Sequence, residues 1–418
     1  MEIAQSKAQL RKNYIWNTLG SAANALSSAI LLLMTTRILG LEAAGIFAIA
    51  FALSQQFQVI GHFEIRSYQA TDSQERFSFA TYLGARYVSC LVMCVVIVGY
   101  TLYTNGITPV ALSIMLIALL KLFDAFEDVF HGMFQQRGRL DIAGRAFFVR
   151  IIACMLGFCI AAFITKDLCS SCIVAFILSA FAFFFCNVPF AQQFVSLRPS
   201  FKPASILKLF WTCLPLCIGS FFLVYITNAP KYAIDMYLTR DYQALYSILF
   251  MPSLVINLLS GFVFKPLLTD MALCWSQARI KDFAQIIFKG FMAICAATFV
   301  TCLAAWFLGI EVLGALYGVP LAAYKLELML LIVGGLFNAS GIILYYAVVT
   351  MRMQKYIFAA YGLASLFAFC AYGLVGTYKI RGAVMIYDAA MLIVALVFLC
   401  VTLAGFIQTK QINRSKTR

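Results

Sequence analysis

The chain has 418 residues, of which 63% are hydrophobic and 11% are charged, and its formal net charge is +14. This composition leaves too few polar residues to cover a soluble domain and is typical of an integral membrane protein. The basic excess falls between apolar segments, where it sets membrane orientation and attracts anionic lipids. We therefore expect contact with membrane lipids and no nucleic-acid partner.

Twelve segments are almost free of charge, and each is about as long as a helix that crosses a bilayer, since roughly 20 residues span the ~30 Å hydrocarbon core. The sequence therefore predicts an all-α integral membrane protein with twelve transmembrane helices. A longer loop, 265–285, mixes apolar and charged positions and is predicted to form an amphipathic helix at the membrane surface. The predicted spans are residues 14–36, 43–62, 84–104, 109–131, 146–165, 171–194, 209–229, 242–264, 286–308, 326–349, 356–377 and 383–405.

The distribution of basic residues predicts the orientation. An even number of spans places both termini on one side, and most Lys and Arg residues then fall on that side, including Lys7, Arg11, Arg414 and Lys416. Because basic residues are enriched in cytoplasmic loops, the pattern predicts cytoplasmic N and C termini.

A short similarity relates the two halves of the chain. After the first span of each half the sequence reads Leu39-Gly-Leu-Glu-Ala-Ala-Gly-Ile-Phe-Ala48 and Leu238-Thr-Arg-Asp-Tyr-Gln-Ala-Leu-Tyr-Ser247. Six spans per half is an even number, so both halves enter the membrane in the same direction, as a parallel repeat. We predict two six-helix bundles, residues 1–208 and 209–418, around a central polar cleft.

A polar stripe follows the second predicted span. At 100° per residue its members fall within an arc of about 80° on a single helix. Polar and charged side chains inside a membrane face protein or water, so the stripe predicts the lining of a hydrated cavity. Its members are Gln55, Gln58, His62, Arg66 and Gln69.

Further polar residues lie in three later spans, and two interpretations stay open for them. They line the same cavity, or they pair with each other, with Lys121 bound to Asp124 and Lys231 to Asp235. These residues are Lys121, Asp124, Glu127, Asp128 and His131 on the fourth span, Asn228, Lys231 and Asp235 near the end of the seventh, and Asn257 in the eighth.

The sequence contains no motif for catalysis, for a cofactor or for a metal ion. It lacks a Gly-rich phosphate loop and a G-x-S-x-G segment, and His131 with Glu127 has no apparent third metal ligand. We therefore expect no enzymatic activity, no cofactor and no metal. Cys169 and Cys172 form a C-x-x-C pair in a predicted outer loop, which is a weak signal for a disulfide.

Two dense segments carry a resemblance to a known family. They read Phe63-Glu-Ile-Arg-Ser-Tyr-Gln-Ala-Thr-Asp-Ser-Gln-Glu-Arg-Phe-Ser-Phe-Ala-Thr-Tyr82, and Asn228-Ala-Pro-Lys-Tyr-Ala-Ile-Asp-Met-Tyr-Leu238 with Phe250-Met-Pro-Ser-Leu-Val-Ile-Asn-Leu-Leu259 and Phe264-Lys-Pro-Leu-Leu268. They resemble motifs of the Wzx-type flippases, which belong to the multidrug/oligosaccharidyl-lipid/polysaccharide exporter superfamily. The chain departs from these motifs at Glu64, where the family tends to have Gly, and at Lys265, where Arg is usual.

The resemblance implies a MATE-like pair of six-helix bundles that works by alternating access in the bacterial cytoplasmic (inner) membrane. The implied substrate is an undecaprenyl-pyrophosphate-linked oligosaccharide for O-antigen, lipopolysaccharide or capsule synthesis, and the implied partners are a polysaccharide polymerase and glycosyltransferases. Cations suit the pyrophosphate, and polar or aromatic groups suit the sugar. Candidates are Arg66, Lys231 and Lys265 for the pyrophosphate, Gln55, Gln58, Asn228, Tyr232 and Asn257 for the sugar, and His62, Gln69 and Asp235 as further cavity residues.

The nearest alternative is an ion-coupled multidrug or metabolite antiporter of the same superfamily. Such a protein uses intramembrane acids to bind the coupling ion, and Asp124 and Asp128 are the candidates here. A membrane-embedded polymerase or glycosyltransferase is a weaker alternative, because the predicted outer loops are too short to carry a catalytic domain.

Overall fold

The structure is a computed structural model that describes residues 7–72, 76–277 and 279–416. The side chains of residues 257–269 and 408–416 are outside this description. The described residues form helices joined by turns and short irregular segments, without a strand. The prediction of an all-α protein is therefore confirmed for this part of the chain.

Sixteen α-helices are found among the described residues. They are α1 (Lys7–Leu39), α2 (Leu41–His62), α3 (Ile65–Gln69), α4 (Phe79–Asn105), α5 (Pro109–Gln136), α6 (Leu140–Thr165), α7 (Leu168–Ala182), α8 (Val188–Gln192), α9 (Pro203–Tyr237), α10 (Arg240–Ser276), α11 (Ile280–Ala304), α12 (Ile310–Tyr317), α13 (Lys325–Thr350), α14 (Lys355–Cys370), α15 (Gly373–Tyr378) and α16 (Ile380–Lys416). Residues 183–187 and 305–309 are π-helical, and they join α7 to α8 and α11 to α12 without a break.

Ten helical segments in the described part of the chain are long and apolar enough to cross a membrane. The chain is therefore a multi-pass membrane protein, as the sequence predicts. The predicted eighth span lies within α10, which is 37 residues long, and the predicted eleventh span begins in α14, a shorter apolar helix of 16 residues. The count of twelve and the cytoplasmic placement of both termini stay predictions.

Two local expectations differ from the structure. The predicted eleventh span is broken, because α14 ends at Cys370 and α15 begins at Gly373. Residues 266–276 continue α10, so the predicted separate amphipathic helix at the membrane surface does not form. The sequence left open whether Cys169 and Cys172 form a disulfide; both lie near the start of α7 as free thiols.

The chain divides into two compact units, Met1–Phe221 and Phe222–Arg418. The division falls inside α9, a continuous helix that also contains the predicted boundary after residue 208. The first unit contains α1–α8 and the first part of α9, and the second contains the rest of α9 and α10–α16. The predicted boundary and the parallel repeat stay predictions.

Small residues permit close helix packing in the first unit. A β-carbon at Gly144 would lie 2.5 Å from the backbone carbonyl of Trp16, so α1 and α6 approach each other at this glycine. Aromatic side chains fill the space between α5 and the end of α7, where Phe123 and Phe130 pack against Phe183. Close approach at small residues is a usual way to associate membrane helices, because the lipid itself provides no hydrophobic driving force.

The second unit packs α10, α13 and α16 together. Gly334 on α13 lies directly against the ring of Tyr387 on α16, since a β-carbon there would be 2.8 Å from two ring carbons. Phe250 on α10 packs edge-on against the same ring, with the ring centroids 4.9 Å apart. These contacts bring α10, α13 and α16 together around the ring of Tyr387.

Candidate functional site

The polar stripe of the second span is divided by a sharp turn. Helix α2 ends at His62, and both Phe63 and Glu64 adopt the left-handed conformation, with φ of 45° and 53°. Helix α3 then begins at Ile65, so Arg66 and Gln69 lie on a separate short helix. The prediction of one continuous helical face is therefore wrong, since it assumed an unbroken helix through these positions.

A cavity of about 400 Å³ lies at this turn. Its volume falls within the range of small-molecule sites. Arg66, His62 and Asp128 are the predicted residues that line it. The remaining lining residues are Glu64, Ser67, Ala70, Thr71 and Gln135.

Arg66 is only loosely held within this cavity. Its side chain is 34% exposed, with Nη1 3.7 Å from Asp128 Oδ1 and Nη2 donating to Gln135 Oε1 at 3.4 Å. Both contacts are long for charge-assisted hydrogen bonds, which are typically about 2.7–2.9 Å. The guanidinium group thus has N–H donors left for a ligand.

Glu64 brings a carboxylate to the same cavity. Its two oxygens accept hydrogen bonds from Ser67 Oγ and from Ser220 Oγ, each at 2.6 Å. These bonds tie the turn to α3 and to α9. The cavity wall therefore carries groups of both charges, a guanidinium group and two carboxylates.

Asp128 connects the cavity to a buried arginine. Its Oδ2 accepts a bond of 2.7 Å from Nη2 of Arg86, whose side chain is fully buried, while Oδ1 faces Arg66. Arg86 also donates to the backbone carbonyl of Gly61, which accepts from Ser89 Oγ as well. These bonds hold the last turn of α2 against α4 and α5.

A second ionic cluster lies one turn away along α5. Asp124 pairs with Lys121 at 2.8 Å and with Arg150 of α6. Arg150 also lies 2.8 Å from Glu127 Oε2, and Asn187 donates to the other oxygen of Glu127 at 2.5 Å. The predicted Lys121–Asp124 pair is confirmed. The two coupling-ion candidates, Asp124 and Asp128, thus each lie between two basic side chains.

The other predicted residues of the stripe have different surroundings. Gln58 bridges the cavity and the second cluster, with its Nε2 3.2 Å from His62 Nε2 and 3.4 Å from Asp124 Oδ2. Gln55 is half-buried on α2. Gln69 is fully buried, and its amide packs on Gly132 of α5, away from the cavity.

In the second unit, the predicted residues follow one stretch of α9. Asn228 is buried and donates to the carbonyl of Val224 at 3.1 Å, and the ring of Tyr232 packs against Tyr225. Asp235 pairs with Arg240. The predicted Lys231–Asp235 pair is therefore wrong, and within the described residues no carboxylate lies within 4 Å of the Lys231 ammonium group. The side chains of Asn257 and Lys265 are outside the described residues.

Several residues of the site were not predicted as candidates. Arg150 is the single charged residue of the predicted span 146–165, and Asn187 lies in an apolar stretch of the predicted span 171–194. The cost of burying such groups in a membrane was the available signal. Arg86 follows four residues after a segment that carries the family resemblance, but its ion pair depends on Asp128, 42 residues away. Sequence spacing within one helix does not reveal such pairs.

The comparisons with known proteins agree with this architecture. No protein-family model matches the chain. The capsular polysaccharide biosynthesis protein CapF of Staphylococcus aureus is 20% identical over 385 residues, which cover 90% of this chain and 94% of that protein.

Solved structures of transporters share the fold. An inward-facing multidrug-resistance transporter of the MATE family and MOP superfamily matches with a TM-score of 0.71 at 11% identity, over 93% of this chain and 96% of that one. A MOP-superfamily transporter of Pyrococcus furiosus matches with a TM-score of 0.57 at 12% identity, over 97% and 96%. The MATE transporter VcmN of Vibrio cholerae matches with a TM-score of 0.59 at 9% identity, over 97% and 98%. The chain thus has the fold of MATE-type transporters of the MOP superfamily.

Proposed function

We propose that the chain is a flippase that moves an undecaprenyl-pyrophosphate-linked oligosaccharide across the bacterial cytoplasmic membrane for surface polysaccharide synthesis. The observation that carries the proposal is the loosely held Arg66 in a cavity that also contains carboxylates. The sequence resemblance to Wzx-type exporters and the similarity to a capsule biosynthesis protein support the same substrate class. The transport role, rather than an enzymatic one, agrees with the shared transporter fold.

The substrate's chemistry fits both signs of charge in the cavity. A pyrophosphate group accepts charge-assisted hydrogen bonds, and Arg66 has donors that Asp128 and Gln135 engage only at long distances. Sugar hydroxyls are donors, and the carboxylates of Glu64 and Asp128 are acceptors for them. A ligand that is anionic at one end and rich in hydroxyls at the other can bind both the guanidinium group and the carboxylates.

Lys231 is the second cation in this proposal. It lies in the part of α9 that belongs to the second unit, with no described carboxylate within 4 Å, and Tyr232 beside it provides an aromatic surface for a sugar. An ammonium group on a spanning helix without an ionic partner is costly unless an anion or water reaches it. We propose that it binds the pyrophosphate during transport.

Complementation in cells tests the function. In cells that lack this chain, complete lipid-linked oligosaccharide should accumulate on the inner leaflet. The wild-type chain and Arg198→Gln should restore its export, because Arg198 is exposed and does not line the cavity. Arg66→Gln should restore at most a tenth of the rate, since a hydrogen bond to a charged group contributes about 1.5–3 kcal/mol.

Two outcomes would contradict the proposal. Accumulation of incomplete oligosaccharide, or a change in polymer length alone, would favour an enzyme. Full complementation by Arg66→Gln would show that transport does not require the Arg66 cavity.

The second candidate function is ion-coupled export of cationic drugs, which the MATE multidrug transporters among the structural neighbours favour. That function requires acids that bind the coupling ion or the drug. Asp124 and Asp128 are instead held by Lys121 and Arg150, and by Arg86 and Arg66. Loss of drug export in Asp124→Asn, with Arg66→Gln unaffected, would favour this candidate.

A further inference from the structure

An apolar groove runs along the second unit between α11 and α16. Helix α13 packs against both of these helices and forms the floor of the groove. The groove has a volume of about 440 Å³, and fourteen of its sixteen lining residues are apolar. The other two, Ser340 and Thr402, donate their hydroxyl groups to carbonyls one turn earlier on their own helices, at 2.7 and 2.8 Å. The groove therefore offers almost no hydrogen-bonding group to water.

The groove is open to the side, towards the lipid. Its walls carry exposed side chains, such as Phe288 on α11 at 63% and Leu403 on α16 at 50%, whereas Ile343 on the floor is only 4% exposed. Water does not fill an apolar cavity of this kind, and an empty cavity leaves its lining atoms without contacts. The membrane supplies a hydrocarbon chain as the occupant.

The length of the groove matches one leaflet of the bilayer. On α16 the groove extends from Leu392 to Phe406, a distance of about 21 Å at 1.5 Å per residue. Half of the hydrocarbon core is about 15 Å thick, so the groove holds one acyl chain and reaches the level of its head group. At this end the ring of Phe406 packs edge-on against Phe283 of α11, with the centroids 5.9 Å apart, and closes the groove.

A basic residue lies at the closed end. Lys281 is exposed and precedes the lining residues Ala284 and Phe288 by three and seven positions, so it lies within about 60° of them around α11. The neighbouring acid, Asp282, pairs with Arg279 at 3.4 Å, and among the described residues Lys281 has no ion pair. An anionic head group beside Lys281 is therefore the charge complement of a chain in the groove.

We propose that the groove of α11, α13 and α16 binds one anionic phospholipid, with an acyl chain along the groove and the phosphate on Lys281. The lipid belongs to the leaflet on the side of the C terminus, which the sequence predicts to be cytoplasmic. It stabilises the folded chain, because it binds a groove that only the folded chain possesses. The site shares no residue with the Arg66 cavity, and it does not depend on the identity of the transported substrate.

Quenching of the fluorescence of Trp275 tests this site. The ring centroid of Trp275 lies 6.4 Å from that of Phe406, which lines the groove, so bromine atoms on a bound chain quench it. The full-length chain, with the substitutions Trp16→Phe, Trp211→Phe and Trp306→Phe, is titrated in detergent with phosphatidylglycerol that is brominated near its head group. Brominated phosphatidylcholine, which has the same chains and no net charge, is the comparison lipid. We expect saturable quenching, with phosphatidylglycerol half-saturating at about one fifth of the phosphatidylcholine concentration.

Two pairs of variants identify the residues. Lys281→Gln should remove the preference for phosphatidylglycerol, whereas Lys289→Gln should keep it, because Lys289 is exposed on the opposite side of α11 from the groove. Ala395→Leu places carbon atoms in the groove and should weaken the binding of both lipids about tenfold, since it displaces roughly two methylene groups. Ala297→Leu, at an exposed position of α11 outside the groove, should leave both affinities unchanged.

Unsaturable quenching, equal half-saturation by the two lipids, or a retained preference in Lys281→Gln would overturn the proposal. Unchanged binding in Ala395→Leu would do so as well, and Lys281→Gln keeps the test decisive if Ala395→Leu does not fold, because Lys281 is exposed. Displacement of the brominated lipid by undecaprenyl phosphate at a lower concentration than by ordinary phosphatidylglycerol would assign the groove to the carrier lipid instead. The fluorescence reports lipid binding alone, so a chain that fails to flip any substrate still passes or fails this test.

Discussion

Arg150 is the residue on which the ionic cluster of the first unit depends most. Its side chain is 2% exposed, and it pairs with Asp124 and Glu127. In Arg150→Met, Asp124 keeps Lys121 at 2.8 Å, but Glu127 keeps only the amide of Asn187. One buried charge is left without a counter-ion, so we expect the free energy of unfolding to fall by about 3–5 kcal/mol.

A second substitution should recover part of this loss. In Arg150→Met/Glu127→Gln the uncompensated charge is gone, while the new amide oxygen still accepts from Asn187. The double variant should therefore be more stable than the single variant by about 1–3 kcal/mol. Arg279→Met is the matched control, since Arg279 and Asp282 are half-exposed, and its cost should stay below about 1 kcal/mol.

Unfolding by sodium dodecyl sulfate in mixed micelles measures these differences. Tryptophan fluorescence is a suitable signal, because one of the four tryptophans, Trp16, packs its ring against Phe148 on the same helix as Arg150. A cost below about 1 kcal/mol for Arg150→Met would refute the reasoning. A double variant no more stable than the single one would do the same.

Three further predictions concern separate parts of the chain. Lys231→Gln should lower the rate of substrate flipping in vesicles without lowering stability, because no described carboxylate loses its partner and an unpaired charge on a spanning helix is removed. A large stability loss would contradict this. Lys379→Gly should stabilise the protein by about 1 kcal/mol in the same unfolding assay, because exposed Lys379 has a φ of 52°, and a lower stability would be the contrary result. Burial raises the pKa of Asp72, but hydrogen bonds from Tyr82 Oη and from the N–H groups of Arg76 and Phe77 outweigh it, so the pKa lies below its ordinary value of 3.8. The stabilisation from Asp72 is therefore complete at pH values above 3.8 and disappears as the pH falls through the lowered pKa. The difference in stability between wild type and Asp72→Asn should shrink in acid, and a difference that stays constant with pH would contradict this.

The sequence predicted the helices well, because long apolar segments have few alternatives in a membrane. The predicted second span, 43–62, ends where α2 ends, but the polar stripe was extended to Gln69 as if the helix continued, since neither Phe63 nor Glu64 marks a sharp turn as Gly or Pro does. The left-handed conformation there is maintained by tertiary contacts, in which Phe63 packs on Phe210 and Glu64 binds Ser220. Only the family's preference for Gly at position 64 pointed to that conformation.

The polar residues of the site were predicted more accurately than their partners. The Lys121–Asp124 pair lies within one helix and follows from spacing. Asp235 pairs with Arg240 beyond the end of α9, rather than with Lys231 one turn away. The pairs of Arg150 with Asp124 and Glu127 are contacts between helices, which the periodicity of a single helix does not contain.

Flipping by the purified chain in proteoliposomes tests the central claim most directly. Undecaprenyl-pyrophosphate-linked oligosaccharide is placed in one leaflet, and its arrival in the other is followed by accessibility to an added glycosidase. The account predicts saturable, protein-dependent transfer that falls at least tenfold in Arg66→Gln and is unchanged in Arg198→Gln. Transfer no faster than in protein-free vesicles, or equal transfer by both variants, would contradict it.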